Sequence, residues 1–298
     1  MFSSIKQDIR NQWSKPNSGL QQIIIINVFI FIVLNILMMI MTKEGFAEFL
    51  KYVAMPTDLP TLLVRPWTVV TSFFTHYSFS HIFWNMLYFY WFGMLVREYL
   101  GNDRLISLFV LGGLIGSMSV ILLFNFIPSF VEHSGGIALG ASAGVFAVTV
   151  GAATLLPDYR FHLLLLGPVK IKYIAMFLIF FSITGLKGTN VGGEVAHLAG
   201  AAMGYFYIRS LNQGNDLGAW VTSFLAFIKS FFVRQPKMKV NYSSRKTTGY
   251  APRSEKKPTA SKAPSQAEID AILDKISQSG YESLSKDEKE KLFNASRK

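Results

Sequence analysis

The 298-residue chain contains no cysteine, which excludes thiol nucleophiles, disulfides and zinc–thiolate sites. Acid is scarce as well, 18 Asp and Glu against 29 Lys and Arg, for a formal net charge of +11. Charge of either sign is missing from four long stretches: between Lys15 and Lys43, from Pro66 to Val96, from Leu105 to Val131, and from His133 to Pro157. With 51% hydrophobic and 14% aromatic residues, this is the profile of a polytopic membrane protein rather than a soluble enzyme. There is no H-E-x-x-H sequence and no Asp or Glu well inside an apolar run. A metalloprotease, an aspartyl protease and a carboxylate-relay transporter are therefore disfavoured, and no cofactor or metal is expected.

The charge-free runs predict transmembrane helices, since a span needs about 20 apolar residues. The first covers Ile23 to Met41 and is too long, and lacks the small-residue cleavage site, for a removable signal peptide. The next three fall within the later charge-free runs. Shorter apolar segments, Tyr173 to Leu186 and Val195 to Ile208, complete six spans. The expected fold class is all-α, a six-helix membrane bundle over 1–210 with a small helical tail. Basic residues at Lys6, Arg10 and Lys15, at Arg97 and Arg104, and at Arg160, Lys170 and Lys172 mark alternate loops, which places both termini on the cytoplasmic side.

The polar residues within these spans are the functional candidates, because each is costly at membrane depth. His81 and Asn85 lie four residues apart, on one face of the second span. In the fourth span, Gly140-Ala141-Ser142-Ala143-Gly144 fits the G-x-S-x-G spelling of the soluble hydrolase elbow, but no strand before the serine and no polar surroundings are expected. Gly140, Gly144, Ala147 and Gly151 form a small-residue stripe there. The sixth span has His197, Gly200, Ala201 and Gly204 at helical spacing, so these two helices are expected to approach closely and bring Ser142 and His197 together. Serine and histidine are what acyl transfer requires. The competing reading treats each polar residue as interhelical glue. His76, His133 and His162 are expected in loops or at span edges, solvated.

Three short motifs then coincide in order: H-x-x-x-N at His81 to Asn85, G-x-S at Gly140 to Ser142, and A-H-x-x-G at Ala196 to Gly200. On these residues the first 210 or so positions resemble the bacterial rhomboid family of intramembrane serine proteases. "RPWTVVTSFFTH" is similar to the family segment that leads into the second span. The resemblance implies a Ser142 nucleophile, a His197 base, an oxyanion hole from His81, Asn85 and the Ser142 amide, supporting roles for Phe146, Gly140 and Gly200, and transmembrane proteins as substrates. It also implies a Ser/His dyad, so Glu194 is taken as a loop residue, and a multi-pass protein of the bacterial cytoplasmic membrane. Where the family often has glycine, this chain has Ala143. A non-cleaving rhomboid-like protein that binds transmembrane clients is the alternative.

Beyond the core, 211–235 is expected as an amphipathic interfacial helix rather than a seventh span. Residues 236–264 are expected to form a basic disordered linker: from Arg234 to Lys262 nine Lys or Arg face one acid, Glu255. Anionic lipid headgroups, not nucleic acid, are its expected partner. In the tail 265–298, capping-box spellings at Ser265 to Glu268 and Ser285 to Glu288 predict a helical hairpin, with Ile269, Ile272, Leu273 and Ile276 on one face and Gly280 at the turn.

Overall fold

The computed structural model describes residues 18–132, 135–163, 167–232 and 266–295. The basic N-terminal positions, His133, Ser265 and the linker expected over 236–264 lie outside them. Two compact units result, Met1–Pro236 and Lys237–Lys298.

In the first unit, α1 (Gly19–Ile40) is uncharged over its full length. It runs into an ordered loop made of α2 (Lys43–Leu50), β1 (Met55–Pro56), α3 (Leu59–Val64) and the single helical turn Thr68–Thr71. Thr42 and Asp58 start α2 and α3 by accepting the amides of Gly45 and Thr61, the usual N-cap arrangement. Then come α4 (Phe79–Leu100), α5 (Asn102–Phe126), β2 (Ile137–Ala138), α6 (Ser142–Leu155), the hairpin β3 (Arg160–Leu163) and β4 (Gly167–Lys170), α7 (Ile171–Gly185), α8 (Val191–Asn212) and α9 (Ala219–Phe232).

Helices dominate, and two small antiparallel ladders qualify the all-α expectation. Strands β1 and β2 pair Met55 with Ala138, and β3 pairs with β4. By length and composition, α1 and α5 are the two described helices able to cross a bilayer. The second expected span starts only at Phe79, because 66–78 belongs to the loop. The sixth is longer than expected: α8 has 22 residues and takes in Glu194.

Outward faces are apolar, as with Phe29, Phe177, Phe180 and Phe181, all more than 60% exposed. An exposed apolar surface of this kind needs a non-aqueous neighbour. The centre is α6, with ten of its 14 residues buried. Small residues let its neighbours close on it. A Cβ on Gly200 or Gly204 of α8 would collide with the carbonyls of Ala143 and Ala147, and one on Gly112 of α5 would meet Ala147. Without a hydrophobic driving force between helices in lipid, this close packing is what holds them. Gly144, expected to face the histidine helix, faces Phe109 of α5 instead, while Gly151 meets Leu108 of α5 and also Gly204 and Ile208 of α8. The methyl group of Ala143 is accommodated by Gly116 of α5.

At the opposite end of α6, Lys170 and Lys172 bind Asp158 at 2.8 and 2.9 Å and hold its carboxyl down at about 2. The start of α9 is tethered to the bundle through Asp216, which accepts from Tyr207 Oη and Arg104 Nε, and through Ser107 Oγ donating to the Gly218 carbonyl. Along α9, Val221 is buried while Trp220, Phe227 and Phe231 are exposed.

In the second unit, α10 (Gln266–Ser279) and α11 (Lys286–Ala295) form a hairpin. Gly280, at φ 76°, turns the chain, and Ile272 and Leu284 are buried between the helices while Leu273 is half exposed. The Ser285–Glu288 capping box is formed, with the Ser285 amide donating to Glu288 at 2.7 Å. That bond, followed by Lys275, holds the Glu288 carboxyl at about 2. Lys291 pairs with Glu268 across the hairpin.

Candidate active site

Ser142 is the first residue of α6, and the backbone before it is held from two sides. The β1–β2 ladder fixes Ile137 and Ala138, and the Gly140 amide donates to the Ser72 carbonyl at 2.8 Å. Gly140 has φ 115°, and a Cβ there would fall 2.6 Å from the His81 ring. Only glycine suits both the left-handed backbone and the missing space. Gly140 therefore precedes the helix and is no part of its stripe. The expectation that no strand precedes Ser142 is also corrected: strand, left-handed glycine and helix-starting serine follow one another, though without a large sheet behind them. Because α6 is short, about 21 Å at 1.5 Å per residue, the non-helical segment 136–141 carries Ser142 into the bundle. Irregular backbone at that depth is tolerated where it lines a cavity.

His197 projects from the second turn of α8. Phe146, one turn after Ser142, stacks on its ring, with centroids 4.4 Å apart and planes within 6°. Ser142, His81, Gly140 and His197 line one cavity of about 1090 Å³. Among the described residues Ser142 Oγ makes no hydrogen bond, so Ser142 and His197 share the cavity without one between them. Catalytic hydrogen bonds often tighten only in the substrate complex.

Asn85 is buried behind the cavity wall. Its Nδ2 donates to the His81 carbonyl at 2.9 Å and lies 3.3 Å from His76 Nε2. His76, expected to be solvated, is fully buried. Its Nε2 accepts from the Ala141 amide at 3.2 Å, and its ring packs edge-on to His81 at 4.9 Å. His76 thus ties the residue before Ser142 to the helix carrying His81 and Asn85. Its place at the end of the "RPWTVVTSFFTH" segment, inside the charge-free stretch from Pro66, was the available signal. His162 is exposed on β3, as expected. The α8 amide Glu194–N donates to Asn190, so Glu194 is in the first helical turn and not in a loop. Its carboxylate reaches His197 Nδ1 at 3.2 Å, where Ser182 Oγ also lies at 3.2 Å. Ser182 carried no signal in sequence beyond being one hydroxyl in an apolar run.

The first-turn amides of α6 have no partners within the helix. They sit at the positive end of the helix dipole, beside Ser142. Chemically, the cavity combines a hydroxyl, an imidazole and donors suited to a developing negative charge.

Fold and site together define a helical membrane protein in which a serine and a histidine converge inside the bundle. Residues 64–213, half of the chain, match the rhomboid domain, and the chain belongs to the rhomboid family. Residues 255–298 match a family of unknown function (DUF6576). The chain is 27% identical over 155 residues to presenilin-associated rhomboid-like protein A, mitochondrial, of Danio rerio, covering 51% of this chain and 39% of that protein. It is 29% identical over 147 residues to RHOMBOID-like protein 12, mitochondrial, of Arabidopsis thaliana, covering 46% and 44% respectively. This chain spans less than half the length of these relatives. Both are mitochondrial by name, which lends no support to the bacterial assignment expected from sequence.

Proposed function

We propose that this chain is an intramembrane serine endopeptidase that cleaves transmembrane segments of other membrane proteins. The observation that carries the reading is the shared cavity of Ser142 and His197, with Phe146 stacked on the imidazole. Ser142 Oγ attacks the scissile carbonyl while His197 takes its proton, and the histidine returns that proton to the leaving amine. The acyl-enzyme is then hydrolysed by water. The oxyanion forms near the Ser142 amide, His81 and Asn85. Gly200 lets α8 approach α6 closely enough to set the pair, and Gly140 leaves room for the His81 ring.

A substrate helix hides its carbonyls in its own hydrogen bonds, so it must unwind locally to meet Ser142. The core works as six spans, α1 and α4 to α8, with both termini on one side. The helix α9 lies at the interface, and the basic linker after it contacts anionic lipid. The tail hairpin is a separate module.

The direct test is to co-express the chain with a panel of transmembrane segments placed between two reporter domains. Cleavage within a segment by wild type, absent with Ser142→Ala, is the expected result. Binding of segments without cleavage by either form would favour a non-cleaving client binder.

A further inference from the structure

The neighbourhood of His197 on the side away from the cavity carries a further assignment, which rests on reading His197 as the base. Glu194 Oε2 and Ser182 Oγ each lie 3.2 Å from Nδ1. Ser182 is buried, and the Glu194 and His197 side chains are 16% and 18% exposed. An ionised carboxylate can only accept hydrogen bonds. Nδ1 must then carry the proton, and Ser182 Oγ shares that N–H as a second acceptor. With the ring plane fixed by Phe146, the free lone pair falls on Nε2.

Gly185 supplies a second, independent observation. It lies at the end of α7 with no left-handed backbone to require glycine, and glycine costs a helix up to about 1 kcal/mol relative to alanine. A Cβ there would sit 2.8 Å from the Glu194 carboxyl carbon. The space left by Gly185 is filled by that carboxylate.

We propose that Glu194 is a positioning residue that turns the Ser/His pair into a Ser–His–Glu arrangement. It holds His197 as the Nδ1–H tautomer, so that Nε2 can accept the Ser142 proton. When the imidazolium forms, both ring nitrogens carry protons, and the one on Nδ1 stays with the ring while the carboxylate balances its charge. Charge-assisted hydrogen bonds are the stronger ones, and a partly buried carboxylate gains accordingly. The other ionisable groups lining this cavity are Tyr77 and His81, just before and on α4, and Lys187 after α7.

The test uses the full chain in detergent, labelled with 15N-histidine, and a fluorophosphonate probe. Ring-nitrogen shifts of His197, assigned by comparison with His197→Gln, should report Nδ1–H in wild type and in Glu194→Asp. In Glu194→Gln the amide can donate to Nδ1, so the tautomer should switch to Nε2–H and the labelling rate should fall on the order of tenfold or more. Glu194→Asp should recover most of that rate, which a purely structural loss would not allow. Gly185→Ala should slow wild type but have little further effect on Glu194→Gln. Wild-type rate and an unchanged Nδ1–H tautomer in Glu194→Gln would overturn the assignment. If wild type itself takes no probe, the protease reading fails separately, and the ring shifts, which need no activity, still decide whether Glu194 sets the tautomer.

Discussion

Single side chains near Ser142 divide by what they face. His81 lines the cavity, whereas Asn85 is spent on the His81 carbonyl and on His76. In the proposed mechanism an oxyanion forms at the corner of the cavity that His81 lines, and Asn85 must turn from its present partners to donate there. Losing one such donor costs on the order of a hundredfold in turnover, so Asn85→Ala should slow cleavage by that amount with little change in apparent substrate affinity. Full activity in that variant would remove Asn85 from the oxyanion hole. The base must be neutral to accept a proton. Cleavage should therefore decline on acidification from neutral pH, and a flat rate across that range would argue against His197 as base.

At the level of elements, the determining contact is α8 against α6, where Gly200 and Gly204 meet the carbonyls of Ala143 and Ala147. An added methyl at either position must push the helices apart. Overpacking of this kind costs about 1–3 kcal/mol, so Gly204→Ala should lower the thermal midpoint in detergent by several degrees. An unchanged midpoint would mean that the interface is looser than described. The G-x-x-x-G spacing of α8 made this contact legible in the sequence, and the long uncharged run made α1 itself legible. The direction of Gly144 was not legible, because a small stripe does not say which of two neighbours fills it. The paired strands β1 and β2 escaped notice because two-residue ladders leave no periodic pattern. The burial of His76 and the helical placing of Glu194 escaped for a different reason. Both depend on partners distant in sequence or on a helix starting one turn earlier than its apolar run suggests.

For the whole molecule, the sign and placing of charge make two further predictions. In the hairpin formed by α10 and α11 the ionised Glu288 caps α11, its carboxyl lowered from its ordinary 4.5 to about 2 by the Ser285 amide and Lys275. A lowered folded-state value stabilises above the ordinary value and is lost as pH falls through the lowered one. The hairpin should loosen between about pH 4.5 and 2, visible as loss of helical 13Cα shifts in α11. Shifts that stay helical down to pH 2 would contradict this. Because the chain has no cysteine, single cysteines report membrane sidedness directly. Six spans require Thr189→Cys and Gln213→Cys, both at exposed positions, to react with an impermeant maleimide from opposite sides. Labelling from one side would reject the six-span arrangement.

The most direct measurement is to react the purified full chain in detergent with a fluorophosphonate and to map the adduct by peptide mass spectrometry. A single adduct on Ser142, abolished by Ser142→Ala and by His197→Ala in folded protein, is the predicted result. No adduct on folded wild type, or an adduct that persists in His197→Ala at the wild-type rate, would contradict an activated serine inside this bundle.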